Sequence, residues 1–233
     1  MSSSESVVSE RPSSSPPASA KRLAAQLLEP EDLAFLDALA KAGLVSELDD
    51  DELLRIASEA ESTDRETRWV QLVETYYATT EERRTADRYF TQRVGEPATA
   101  AGLVSRLSAL LPELGGMTLE RIGGEEGPLV IRAGEHFCAV LDEHEEEMDT
   151  DQIDLSDLED HSRDVPHVTV RGLVRSTNVL LDRHGVRERM ISLRGDLEVE
   201  MYVFLGIAEA MPLANAGYLE DEDPEEVMEL AAW

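Results

Sequence analysis

The sequence predicts an α+β fold: a helical N-terminal region followed by an α-β-β-β-α-β-β-α antiparallel-sheet domain. Three observations carry that expectation. Through residues 18–95, apolar residues recur at helical spacing between cap and glycine signals. From Pro97 onward, helical stretches alternate with short runs rich in Val, Ile, Leu and Met that end at glycine turns. The links between those runs suit hairpins rather than crossovers, so about five antiparallel strands with helices against one face are expected.

The elements follow in order. Residues 1–17 are Ser/Pro-rich and read as a disordered tail. Ala18–Leu28 is a short helix with Leu23, Leu27 and Leu28 at helical spacing. Pro30 suits the first helical position of the next segment, which carries Leu33, Phe35, Leu36 and Leu39 and stops at Gly43. Asp49 is placed to cap a third helix, with Asp50, Asp51 and Glu52 at its positive end. Thr63–Glu66 and Thr79–Glu82 fit capping boxes opening helices of about 64–78 and 80–93.

In the region 96–219, Ala98–Leu111 is an amphipathic helix between Pro97 and Gly115-Gly116. Met117–Ile122, Leu129–Arg132 and His136–Leu141 read as strands, with Gly123–Pro128 as a hairpin loop. Residues 142–164 hold 12 acids and one Arg, an acidic loop with too few apolar groups to order itself. Val168–Arg183 is a helix with Leu173, Val174, Thr177, Leu180 and Leu181 on one face. Val186–Arg194 and Leu197–Leu205 are strands around Gly195-Asp196, an order that suits a two-residue type II′ turn. Ile207–Asn215 is a helix, and Asp223-Pro224 opens a last acidic helix within 220–233.

An internal echo runs through this region. At an offset of 70, six of the 14 positions from 102 to 115 are identical, including Gly102-Leu-Val104 with Gly172-Leu-Val174 and Gly115 with Gly185. A structural repeat explains it, and so does the spacing common to amphipathic helices that stop at glycine. The element order over 98–218 resembles the fold shared by type III secretion chaperones and YbjN-like regulators, without a motif match. That resemblance implies a non-enzymatic protein that binds another polypeptide and often dimerises. The acidic loop departs from the compact pattern.

Composition narrows the function classes. The 233 residues include 50 acids against 21 Lys and Arg, a net charge of −29, and only Lys21 and Lys41 are lysines. Such acidity disfavours nucleic acid and anionic membranes as partners. Acid excess with almost no lysine resembles the composition of haloarchaeal cytoplasmic proteins. Molar salt shortens the screening length to about 3 Å, so dense carboxylates then repel one another far less. A single cysteine, no secretory leader pattern and no long apolar run fit the cytoplasm. The charge is uneven: residues 47–61, 142–164 and 219–233 contribute −6, −11 and −7, whereas Arg171, Arg175, Arg183, Arg187, Arg189 and Arg194 leave 167–194 locally positive.

If Gly195-Asp196 is the turn, Arg189 faces Tyr202 and Arg187 faces Phe204. Val186 and Met190 then share the core face with Val199, Met201, Val203 and Leu205. Arg187, Arg189, Ile191 and Leu193 share the outer face with Glu198, Glu200, Tyr202 and Phe204. Arginine beside aromatics matches the composition of protein interfaces, so Arg187, Arg189, Tyr202 and Phe204 are the expected partner-binding residues. Either a helix of 18–95 or another polypeptide covers that face.

Other chemistry lacks a signature. There is no phosphate-binding glycine loop with a following Lys and no Gly-x-Ser-x-Gly elbow. Cys138 lies in an apolar strand and reads as a buried structural thiol. His144, His161 and His167 match no zinc spacing, and Asp149–Ile153 lacks the glycine of a calcium loop. No metal, cofactor or small molecule is implied. The expectation is a non-enzymatic, chaperone- or adaptor-like cytoplasmic protein adapted to high salt, with a protein partner or a homodimer. The alternatives are a helix-turn-helix regulator using 18–95, where Arg65, Arg68, Arg83, Arg84, Arg88 and Arg93 are nearly balanced by the five acids of 65–93, and an uncharacterised enzyme.

Overall fold

A computed structural model describes residues 20–45, 48–60, 62–78, 88–94, 98–122, 128–140 and 169–220. The N-terminal tail, most of the 80–93 helix expected from Thr79, the 123–127 loop, the acidic loop 142–164 and the C-terminal acidic helix lie outside the described residues. The helices are α1 (Ala20–Leu27), α2 (Pro30–Lys41), α3 (Asp50–Glu59), α4 (Arg65–Ala78), α5 (Ala100–Leu110), α6 (Val170–Arg183) and α7 (Ile207–Asn215). The strands are β1 (Phe90–Arg93), β2 (Met117–Arg121), β3 (Leu129–Ala133), β4 (His136–Ala139), β5 (Arg189–Leu193) and β6 (Val199–Leu205). This is the α+β class, with helices N-terminal to antiparallel sheets.

Local chemistry sets most boundaries. The Asp49 carboxylate accepts from the N–H groups of Asp51 and Glu52 at 3.0 and 2.8 Å, filling orphan donors at the start of α3. At α4 the cap is Asp64 rather than Thr63. Its carboxylate accepts from the Thr67 N–H at 3.0 Å and the Thr67 hydroxyl at 3.1 Å. Those bonds to the charged form hold the Asp64 carboxyl below its ordinary pKa.

The echo at offset 70 has matching geometry. Thr99 caps α5 by accepting from the Gly102 N–H at 3.1 Å, and Thr169 caps α6 by accepting from the Gly172 N–H at 3.0 Å. Gly115, which ends the Pro112–Leu114 turn beyond α5, and Gly185, just beyond α6, are both left-handed, at φ 66° and 72°.

The strands divide into two three-stranded sheets rather than one of five, ordered β2-β3-β4 and β1-β6-β5. The sixth strand, β1, occupies sequence expected to end a helix and pairs Phe90 with Tyr202 across the chain. It therefore joins the end of the 18–95 segment to the sheet. Tyr89 anchors its approach by stacking on Tyr77 of α4, with ring centroids 4.2 Å apart.

The β5–β6 register differs by three residues from the expected one. Arg189 faces Leu205, Met190 faces Phe204 and Ser192 faces Tyr202. The cause is the connection. Gly195 does not take the positive φ that opens a type II′ turn. A Cβ there would come within 3.1 Å of Val70 and Met201, so glycine answers a close approach. The Asp196 carboxylate folds the loop by accepting from the Glu198 and Val199 N–H groups at 2.9 and 3.0 Å. An odd slip moves one strand's side chains to the opposite face.

Both faces of β1-β6-β5 are covered. Ile191, Leu193, Met201 and Val203 pack into a core with Phe35, Leu39, Ile56, Trp69 and Leu72 of the N-terminal helices. Phe90, Met190 and Tyr202 join a second core with Leu103 and Leu107 of α5, Leu173 and Leu180 of α6, and Ile131 of β3. Each fully buried large apolar side chain contributes roughly 1.5–3 kcal/mol.

One buried charge pair fixes the helical region. Arg68 of α4 donates from Nε to Asp32 of α2 at 2.8 Å, and its Nη2 lies 3.2 Å from Glu29. Burial pushes the Arg68 pKa down, but Asp32 and Glu29 outweigh it and leave it raised.

Candidate binding site

The four residues expected to form a partner surface do not share one. Arg187 is exposed and Phe204 is half-buried, but Arg189 and Tyr202 keep only 2% and 3% of their surface. The register explains the outcome, since Arg189 now follows the Ile191–Leu193 face and Tyr202 the opposite one. The Arg189 Nη2 lies 2.7 Å from an Asp182 carboxylate oxygen of α6, and its Nη1 donates to the Glu188 carbonyl at 2.9 Å. Burial lowers the Arg189 pKa more than Asp182 and Glu188 raise it. The Tyr202 hydroxyl donates to Glu200 at 3.0 Å.

Two further arginines of the cluster are exposed but engaged within the chain. Arg194 bridges to Glu66 at 2.8 Å, and Arg183 donates to the Phe137 carbonyl. Arginines considered for DNA reading behave similarly. Arg65 pairs with Glu31 at 3.1 Å, Arg93 with Glu74 at 2.9 Å, Arg68 with Asp32, and Arg88 with Glu113. Arg83 and Arg84 lie outside the described residues.

Phe204, however, lies in the wall of a cleft of about 310 Å³. Its apolar part comes from Ala42 and Leu44, after α2, and Leu205 at the end of β6. Gly43 lets the chain leave α2 at φ 76°. Arg88 lies across the Phe204 ring, its guanidinium carbon 4.4 Å from the centroid, and also pairs with Glu113. Arg88 has φ 51°, the one non-glycine positive value among the described residues, so these contacts hold it in a sparsely populated conformation.

Two more carboxylates complete the cleft: Glu188, just before β5, and Glu209 in the first turn of α7. Neither makes an ion pair among the described residues. Glu209 folds back against Gly206, where a Cβ would come 2.6 Å from its carboxylate oxygen. The cleft therefore carries three carboxylates against one guanidinium, with Ala42, Leu44, Phe204 and Leu205 as the apolar part of its lining. It is suited to a cationic group on an aliphatic stem.

Sequence spacing singled out Phe204 but not Arg88, Glu113, Glu188 or Glu209. Arg88 fell in an expected helix, Glu113 sits in the Pro112–Leu114 turn, and no local pattern links residues this far apart.

The other candidate chemistry is quiet. Cys138 is buried and its Sγ donates to the Ala139 carbonyl at 3.3 Å. Burial raises the thiol pKa more than Arg183 and Ser176 lower it, which disfavours a reactive thiolate. The His136 and His184 rings meet edge to face at 4.9 Å, and His184 Nε2 is 3.2 Å from the Ala133 carbonyl oxygen. Among the described residues no group of three His, Cys, Asp or Glu side chains is placed to hold a metal ion. Among them also, no helix is long and apolar enough to cross a membrane. No family model, curated protein or solved structure matches the chain.

Proposed function

We propose that this is a non-enzymatic polypeptide-binding protein, chaperone- or adaptor-like, working in a salt-rich cytoplasm. Its cleft at Phe204 grips a basic side chain of the partner. One observation carries the reading: Arg88 is already occupied by Phe204 and Glu113, whereas Glu188 and Glu209 line the same opening without an ion pair among the described residues. A lysine or arginine of an extended segment would lay its stem on Leu44 and Leu205 and bring its charge to those carboxylates. A volume near 310 Å³ lies at the small end of the roughly 300–1,000 Å³ typical of ligand pockets, which favours one anchoring side chain. The scarcity of lysine and the net charge of −29 support the high-salt setting.

A peptide series in molar KCl tests this, with peptides identical except for a central Arg, Lys, citrulline or Glu. The Arg and Lys peptides should bind about tenfold more tightly than the citrulline and Glu peptides. The Glu188→Gln/Glu209→Gln double variant should erase that preference. Equal binding of all four peptides to the unaltered protein contradicts the proposal.

A further inference from the structure

A strand edge with unpaired N–H and C=O groups is a template for another strand, and folded proteins usually cover such edges. The two sheets present four edges. On β5, Asn178 donates to the Met190 carbonyl and accepts from the Met190 N–H, both at 2.9 Å. Further along, the Arg194 N–H donates to the Tyr218 carbonyl at 2.8 Å, and the Glu220 N–H to the Ser192 carbonyl at 3.2 Å. On β4, Ser176 donates to the Ala139 carbonyl at 2.9 Å and Arg183 to that of Phe137. On β1, Arg106 donates to the Thr91 carbonyl at 2.5 Å.

The β2 edge is different. The Ile122 N–H donates to the Pro128 carbonyl, so the alternation of the ladder points the N–H and C=O of Met117 and Leu119 away from β3. Ser108 accepts from the Met117 N–H at 2.8 Å. Among the described residues, Leu119 at the centre of the strand has no partner for either outward group.

We propose that two copies of the chain join antiparallel through β2, about a twofold axis at Leu119, to form one six-stranded sheet. The charge pattern of the strand favours a second copy as the occupant. In this register Thr118 faces Glu120 of the partner subunit, and Met117 faces Arg121 of the partner subunit. No like charges stand directly opposite. Arg132 lies opposite Thr118 within the chain and pairs with Glu120, so it moderates the acidic charge brought to the seam. Exposed Ile122 adds apolar surface just beyond the strand. Joining two chains of charge −29 is opposed in dilute buffer and eased by molar salt, which makes the association salt-dependent.

Light scattering of the full chain tests the dimer in molar KCl. The expected mass is twice 25.8 kDa, falling towards the single-chain value on dilution or salt removal. Leu119→Pro removes an N–H the monomer does not use, at an edge position where proline is tolerated, and should give a folded monomer. That variant should still bind the Arg-centred peptide, which separates this proposal from the cleft. Hydrogen exchange on the unaltered protein provides a second readout should the proline variant misfold. The Leu119 amide should be protected in the concentrated sample and lose at least about tenfold in protection on dilution. A chain monomeric at every salt and concentration overturns the proposal. So does a dimer that survives Leu119→Pro, or an exchange rate at Leu119 that ignores dilution. An extended basic peptide that protects Leu119 in a protein that stays monomeric also overturns it, by assigning the edge to another partner.

Discussion

Asn178 and Met190 hold each other by two hydrogen bonds of 2.9 Å, the side-chain amide of α6 closing on both backbone groups of one β5 residue. The same helix reaches β4 through Ser176, which donates to the Ala139 carbonyl. A single helix thus seals one edge of each sheet and ties the two sheets together. Asn178 is polar but buried, and its placement is justified only because both ends of its amide are used.

Asn178→Leu should therefore cost about 2–4 kcal/mol, because it removes two bonds and strands a buried donor and acceptor. Asn178→Asp should retain only the bond from the Met190 N–H and fall in between, or worse if the carboxylate stays charged. Denaturant unfolding in molar KCl measures both. A loss below about 0.5 kcal/mol for Asn178→Leu would show that β5 does not depend on this contact.

The Asp32–Arg68 pair makes a different prediction. Asp32 is fully buried and Arg68 nearly so. Asp32→Ala should cost about 3–5 kcal/mol by leaving the guanidinium without its buried partner. The Asp32→Leu/Arg68→Met double variant should recover much of that loss, because it removes both charges. Thermal melts of the single and double variants decide the matter; additive losses would contradict it.

Asp64 gives a pH dependence of known sign. Its folded pKa is lowered, with its bonds to Thr67 the largest cause. A depressed carboxyl contributes stability above its unfolded pKa and loses that contribution as pH falls through the folded value. Asp64→Ala should thus be less stable than the unaltered protein near neutrality, with the difference closing in acid below about pH 4. A difference unchanged through the acid range would assign the effect to something other than the charged cap.

The fates of Tyr202 and Phe204 show what the sequence could and could not disclose. Element types were legible because Asp49, Pro30 and the glycine stops act within a few residues. The β5–β6 register was not, since it depends on the crowding of Gly195 by Val70 and Met201 and on the bonds made by Asp196. β1 was hidden for a related reason. Four residues, Phe90–Arg93, become a strand by pairing with β6 over a hundred positions away. The three-residue slip parted Arg189 and Tyr202 onto opposite faces, and packing on both faces of the sheet buried them. Phe204 reached the cleft, while Arg88 and Glu209 came to it from segments with no shared motif.

That division also predicts different consequences for two similar substitutions. Tyr202→Ser removes a ring from the second core and should destabilise the fold by about 3–5 kcal/mol. Phe204→Ser removes part of the cleft wall and frees Arg88 from its ring, so its main effect should be on recognition.

The most direct test of the account is the affinity of one labelled Arg-centred peptide for the unaltered protein and for Phe204→Ser, by fluorescence anisotropy in molar KCl. Circular dichroism of the same samples establishes that the variant is folded. Saturable binding by the unaltered protein and at least about tenfold weaker binding by folded Phe204→Ser are expected. Equal affinity for the two proteins, or no binding by the unaltered protein to any basic peptide, would contradict it.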